Sequence, residues 1–98
     1  MKQISDKQRR LNKAVSDVKN SKPKTCIICM KYCPDGDAVH LLPRSTFPEH
    51  YTANWNIWRG HRECHQRYDD DKQFRSTLGH IREIVKEQDE KAERRYFE

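Results

Sequence analysis

The chain has few of the residues that build a large apolar core. Of its 98 residues, 34% are hydrophobic and 9% are aromatic, whereas 36% are charged. The sequence contains no hydrophobic run long enough to cross a membrane, and residues 1–10 are too polar for a signal peptide, so we expect a cytoplasmic protein without membrane partners. A core this small usually needs a metal or a covalent crosslink to hold it together.

Acidic residues are fewer than basic residues. The chain has 15 acidic residues against 20 lysines and arginines, which gives a formal net charge of +5. A basic surface favours nucleic acid or another polyanion as the partner. The chain has four cysteines, and thiols stay reduced in the cytoplasm. The cysteines are therefore expected to bind metal and not to form disulfides.

The cysteines fall in two short motifs that predict a structural zinc site. Cys26 and Cys29 are separated by two residues, and His61 and Cys64 repeat that spacing further along the chain. Two such pairs supply the four ligands of a tetrahedral zinc ion. Cys33 is an alternative fourth ligand. The matched spacing favours His61, which leaves Cys33 as a free thiol.

The hydrophobic pattern predicts an α+β fold in three segments. Residues 1–22 contain a basic helix that begins at Ser5 and ends at about Asn20. Residues 23–70 form a small zinc-stabilised core. Residues 71–98 form a long, charged C-terminal helix, which an aspartate of the run 69–71 caps at its start.

Within the core, we expect two short strands and a helix. The strands are residues 38–42 and residues 56–58, and the helix begins near Arg62 and carries His65. Gly60 is expected to give the turn before this helix its conformational freedom. The predicted C-terminal helix has apolar residues at heptad-like positions, which are Phe74, Leu78, Ile81 and Val85.

The middle of the chain resembles the HNH endonucleases. The residues that carry the resemblance are residues 37–45, Asn56 with Ile57, and residues 61–65, in this order. The version they resemble has zinc knuckles and a ββα-metal fold, as in phage recombination and Holliday-junction-type nucleases. The resemblance covers about residues 24 to 70, and the two outer helices lie beyond it. It implies a metal-dependent hydrolysis of DNA and an origin in a phage or mobile element.

The resemblance also implies roles for individual residues. His40 matches the general base that activates water, and Asn56 matches the asparagine that fixes the loop by hydrogen bonds. His65 matches a ligand of the catalytic metal, which is Mg²⁺, Mn²⁺ or a similar divalent ion. The commoner pattern has an aspartate or histidine directly before the base, where this chain has Val39. Asp37 is therefore the expected second ligand of the catalytic metal.

Elementary chemistry agrees with these roles. An imidazole near neutral pH can take a proton from water, and a divalent cation can hold the phosphate and stabilise the leaving oxygen. Arginine side chains in or near the motif are candidates for contacts to DNA phosphates. These arginines are Arg44, Arg59, Arg62 and Arg67.

Two other functions compete with a nuclease. The first is a zinc-stabilised module that binds nucleic acid without cutting it, which Val39 favours and which His40 and His65 disfavour. The second is a small protein-interaction domain whose C-terminal helix pairs with a partner. If the protein is a nuclease that cuts both strands of DNA, so small a unit is expected to act as a homodimer.

Overall fold

The computed structural model describes residues 6–98, which form an α+β fold with one two-stranded sheet and five α-helices. In chain order, the elements are α1 (Asp6–Ser21), β1 (Asp37–His40), β2 (Ile57–Gly60), α2 (Arg62–Asp70), α3 (Lys72–Ser76), α4 (Gly79–Gln88) and α5 (Glu90–Phe97). Two short 3-10 helices, Pro48–His50 and Asn54–Asn56, lie between the strands. The predicted α+β class is confirmed. Ser5, where the sequence predicts the first helix to begin, lies outside the described residues.

Helix α1 packs against β2 through its single apolar stripe, in which Val15 is buried. Arg59 of β2 holds the end of this helix, because its guanidinium donates hydrogen bonds to the carbonyls of Pro34 and Lys19. Only 6% of Arg59 is exposed. The expectation that Arg59 contacts DNA phosphates is therefore wrong, and this arginine is a structural residue.

The two strands pair antiparallel, with Val39 opposite Trp58 and Asp37 opposite Gly60. Val39 is fully buried, and alternation along the strand turns the next residue, His40, to the other face. A Cβ atom on Gly60 would lie 2.6 Å from Cγ2 of Val39. Gly60 is thus required for close packing of the strands, and not for the conformational freedom that the sequence suggested.

The predicted long C-terminal helix is wrong, because the chain breaks there into three short helices. Asp71 caps α3 by accepting a hydrogen bond from the backbone N–H of Phe74 at 3.0 Å, which confirms the predicted capping aspartate. Asp89 separates α4 from α5, and its side chain accepts from the backbone N–H of Ala92 at 3.1 Å. These breaks let α4 and α5 pack against each other and against the rest of the chain.

The apolar residues of this region belong to the core of the protein. Ile81 and Val85 are fully buried, and Phe74 and Leu78 are partly buried against the same core. The four residues that the sequence gives at heptad-like positions thus pack inside their own chain. No helix within residues 6–98 is long and apolar enough to cross a membrane. The fully buried side chains of the core include Tyr68, Phe97, Leu41, Leu42, Ile57, Ile81, Val39, Val85 and Cys26.

Candidate functional site

The first pair of cysteines lies in a tight hairpin. Thr25 and Tyr32 form an antiparallel bridge, and the N–H of Met30 donates to the carbonyl of Cys26 at 2.8 Å. Met30 takes a left-handed conformation, with a φ of 64°, which lets the chain reverse. Inside the turn, the N–H of Cys29 donates to the sulfur of Cys26 at 3.5 Å. The local fold thus brings both sulfur atoms to one side.

The second pair lies at the start of α2. His61 is the residue before the helix, and Cys64 lies in its first turn. Nε2 of His61 donates to the carbonyl of Tyr32 at 3.0 Å, which leaves the lone pair on Nδ1. This Nδ1 lies 3.3 Å from Sγ of Cys29. Tetrahedral zinc bonds would separate such a nitrogen and sulfur by about 3.6 Å, so the imidazole is oriented as a ligand.

The four predicted structural ligands come together. One potential ligand atom from each residue lies within 4.8 Å of the other three, and the residues are Cys26, Cys29, His61 and Cys64. Sulfur atoms bound to one tetrahedral zinc are about 3.8 Å apart. A small movement of the side chains therefore brings the four ligand atoms to the distances that zinc requires. Cys33 is a free, buried thiol outside this cluster. The Cys₃His set can therefore hold a structural metal such as zinc, and its composition is the one that the spacing predicts.

The electrostatics of the cluster favour a cation. Burial opposes ionisation of Cys26, but the N–H groups of Cys29, His61 and Ile28 outweigh it and lower its pKa to about 7. Burial and the neighbouring sulfur of Cys26 raise the pKa of Cys64. A negative charge on one sulfur atom thus opposes ionisation of the neighbouring thiol. A divalent metal relieves this repulsion and allows all three thiols to bind as thiolates.

Replacing Cys33 tests the ligand set. We expect Cys33→Ser to keep one zinc per chain, measured by elemental analysis, and to lose roughly 1–2 kcal/mol of stability, because a hydroxyl replaces a buried thiol. Thermal melts of Cys33→Ser and Cys29→Ser at matched zinc give the comparison. Equal zinc loss in the two variants would make Cys33 a ligand.

His40, the candidate base, lies at the end of β1 and is partly buried. Its Nε2 donates to the backbone carbonyl of Tyr51 at 3.2 Å, because a carbonyl can only accept. The neutral imidazole therefore carries its lone pair on Nδ1. Burial lowers the pKa of His40, although the Tyr51 carbonyl acts in the opposite direction. The side chain is thus neutral, and able to accept a proton, at neutral pH.

His65 of α2 lies between two carboxylates. Its Nδ1 is 3.4 Å from Oδ2 of Asp37, so the predicted pair comes together. Its Nε2 is 3.1 Å from Oδ2 of Asp69, one helical turn further along α2. Asp69 is a further candidate, because the sequence predicts only a helix cap within residues 69–71. The signal was present, since residues four apart on a helix share a face.

The candidate residues line two different cavities. An open cavity of about 430 Å³ is lined by His40, His65, Asp69 and Arg44, together with Tyr96 of α5. A second open cavity of about 360 Å³ contains Asp37 with turn residues 33–36 and the start of α2. The candidate base therefore shares its cavity with Asp69 and not with Asp37. Helix α5, which the sequence placed outside the site, contributes to its wall.

Asn56 makes the hydrogen bonds expected of a loop-fixing residue. It is fully buried, and its Oδ1 accepts from the N–H of Leu42 at 2.8 Å. Its Nδ2 donates to the carbonyls of Leu42 at 3.1 Å and His50 at 3.0 Å. These bonds tie the start of the loop between β1 and β2 to its end. Asn56 thereby holds the segment that carries Tyr51 against His40.

A second group of potential ligands among the described residues consists of Glu49, His50 and Asp89. Nε2 of His50 lies 2.9 Å from Oδ2 of Asp89 and 3.9 Å from Oε1 of Glu49. The hydrogen bond from His50 lowers the pKa of Asp89. Lys91 and Arg95 line the same shallow depression as the two carboxylates, and their charge opposes a bound cation. We interpret this group as a hydrogen-bonded contact between His50 and Asp89 that ties the loop to the start of α5.

Comparisons of the chain with protein-family models, with curated proteins and with solved structures found no match. A function for this protein is therefore proposed from the geometry and chemistry of its own residues.

Proposed function

We propose that this protein is a metal-dependent endonuclease of the HNH class that hydrolyses DNA phosphodiester bonds. The observation that carries the proposal is the open cavity shared by His40, His65, Asp69 and Arg44. A proton acceptor, a pair of metal-binding groups and a phosphate-binding group then line one space. The order of β1, β2 and α2 along the chain further supports a ββα-metal core.

His40 is the general base in this proposal. Hydrolysis requires water to attack phosphorus, and a positioned imidazole takes the proton from that water. The bond from Nε2 of His40 to the Tyr51 carbonyl fixes the tautomer, so Nδ1 is the nitrogen that accepts the proton. The lowered pKa of His40 keeps this nitrogen unprotonated at neutral pH.

The residues around His65 fit a catalytic divalent cation. Two ligand atoms of a six-coordinate ion lie about 3 Å apart, close to the 3.1 Å between Nε2 of His65 and Oδ2 of Asp69. We assign Nε2 of His65 and the Asp69 carboxylate as ligands, because they line the cavity of His40. Asp37 then accepts a hydrogen bond from Nδ1–H and orients the ring. Mg²⁺ or Mn²⁺ held there would stabilise negative charge on the phosphate and on the leaving oxygen.

The charge of the chain supports DNA as the substrate. The net charge is +5, and the exposed surface of α1 carries several lysines and arginines. Arg44 lines the candidate cavity, where its guanidinium can bind a phosphate next to His40. Arg62 is exposed at the start of α2, and Arg67 lies over the ring of Phe74 at 3.9 Å. These residues are candidates for contacts to the flanking phosphates.

The two aspartates beside His65 have separable roles. We expect Asp37→Asn to raise the Mn²⁺ concentration for half-maximal cleavage roughly tenfold, as the loss of an outer-sphere partner does. Asp69→Asn should raise it further, because it weakens a direct ligand. Metal titrations of plasmid nicking measure both effects, and the zinc content should stay at the wild-type value. A larger effect from Asp37→Asn would return Asp37 to the ligand position that the sequence predicted.

A nicking assay tests the proposed function. Purified, zinc-loaded protein is incubated with supercoiled plasmid and with Mg²⁺, Mn²⁺ or Ni²⁺, and EDTA added at the start is the control. Conversion to nicked or linear plasmid in a metal-dependent manner is the expected result. Salt-dependent DNA binding without cleavage by any of the three metals would favour the nucleic-acid-binding module. The absence of both would favour an interaction domain.

A further inference from the structure

Tyr51 contacts two residues that line the candidate cavity. The imidazole of His40 stacks on the Tyr51 ring, with 4.9 Å between the ring centroids and 10° between the ring planes. The guanidinium carbon of Arg44 lies 4.5 Å from the centroid of the same ring. A single aromatic side chain therefore supports both the candidate base and the candidate phosphate-binding residue.

The backbone around Tyr51 is held in place from several directions. The N–H of Tyr51 donates to the carbonyl of Pro48 at 3.2 Å, which closes a 3-10 turn. The preceding residue, His50, is bonded through its carbonyl to Asn56 and through its side chain to Asp89 of the helical region. The segment thus has contacts to Asn56, the residue directly before β2, and to Asp89, the residue that caps α5. Such anchoring is what a residue needs in order to fix the position of another side chain.

We propose that Tyr51 is a positioning residue whose ring sets the orientation of the His40 imidazole and keeps Arg44 at the same side of the cavity. The backbone carbonyl of Tyr51 selects the tautomer of His40. The aromatic ring of Tyr51 restricts rotation about the side-chain bonds of His40. Removal of the ring leaves the carbonyl in place but frees both cavity residues. The catalytic consequence rests on the proposed nuclease function, whereas the packing of His40 on Tyr51 can be measured without it.

Two variants separate the ring from the hydroxyl group. Tyr51→Phe keeps the ring, and it should cleave within about threefold of wild type. Tyr51→Leu removes the ring, and its single-turnover rate constant should fall roughly 10- to 100-fold, since small misplacements of a catalytic group have effects of this size. The Kd for DNA should also rise in Tyr51→Leu, but less than in Arg44→Ala, which removes the guanidinium itself. Wild-type rate and affinity in Tyr51→Leu would overturn the proposal.

NMR of the His40 ring gives a readout that does not depend on cleavage. In wild type and Tyr51→Phe, the ring protons of His40 should show upfield shifts from the stacked ring, and ¹⁵N shifts should show the Nε2–H tautomer. The upfield shifts should disappear in Tyr51→Leu. If this variant does not fold, the wild-type spectrum still decides, because unshifted His40 protons or an Nδ1–H tautomer would overturn the inference. Normal stacking in a protein without nuclease activity would keep the packing and reject the nuclease.

Discussion

Chelation of the structural zinc that we expect in the Cys₃His cluster should unfold the protein. The cluster joins the hairpin at Cys26 and Cys29 to the start of α2. The hydrophobic core of the protein is small, so it depends on this connection. Binding of structural zinc contributes on the order of 10 kcal/mol in small domains, which is comparable to the whole net stability of a typical domain. We therefore expect chelation, or Cys29→Ser, to abolish the cooperative thermal transition. Circular dichroism melts with matched zinc analysis measure this effect.

The control for this experiment is the thiol outside the cluster. Like Cys29→Ser, Cys33→Ser replaces a sulfur atom with oxygen close to the cysteine hairpin, and Cys33 is buried. This variant should nevertheless keep its zinc and its cooperative transition. Re-addition of zinc to the chelated wild type should restore the melt, whereas re-addition to Cys29→Ser should not. A metal-free wild-type protein that melts at the temperature of the zinc form would contradict a structural role for the cluster.

Replacement of His40 should have the largest effect on cleavage. A general base contributes about 10²- to 10⁴-fold to the rate, so we expect His40→Ala to nick plasmid at least 100-fold more slowly. The variant should keep its zinc and most of its DNA affinity, because the base acts in the transition state. Higher Mn²⁺ should not restore its rate, in contrast to Asp69→Asn. Nicking at the wild-type rate by His40→Ala would remove His40 from the role of base.

The pH dependence gives a second signature of this base. Burial lowers the pKa of His40, so its neutral form is present at neutral pH and is lost as the pH falls through that lowered value. The cleavage rate should therefore fall on the acid side, with a midpoint below the ordinary pKa of a histidine. His40→Ala should not show this decrease. A midpoint above the ordinary value would indicate a different titrating group.

Local patterns in the sequence correctly predicted which four side chains lie together and could hold a structural metal. Two ligands separated by two residues fall on one side of a tight turn or of a helical first turn, whatever the rest of the chain does. The spacing therefore indicated Cys26 with Cys29 and His61 with Cys64, and the structure brings these pairs together. The α+β class followed from the same kind of local information, because strand alternation and helical periodicity are both short-range patterns.

The C-terminal region shows where such patterns fail. Its apolar residues have a spacing that fits one long helix, yet Asp71 and Asp89 each begin a new helix by accepting a backbone N–H. An aspartate is compatible with a helix interior or with a cap. Which of the two forms depends on whether a change in chain direction buries more apolar surface. Here the turns bury Ile81, Val85 and Phe97 in the core.

The sequence by itself thus determined the four residues of the Cys₃His cluster, which could hold a metal, the order of the strands and α2, and the basic character of the chain. Tertiary structure alone decided that His40 shares its cavity with Asp69, that Tyr51 supports His40, and that Tyr96 of α5 joins the wall. The first set depends on residues that are close in the chain, where backbone geometry fixes distances. The second set depends on contacts between distant segments, which form only when the whole core packs.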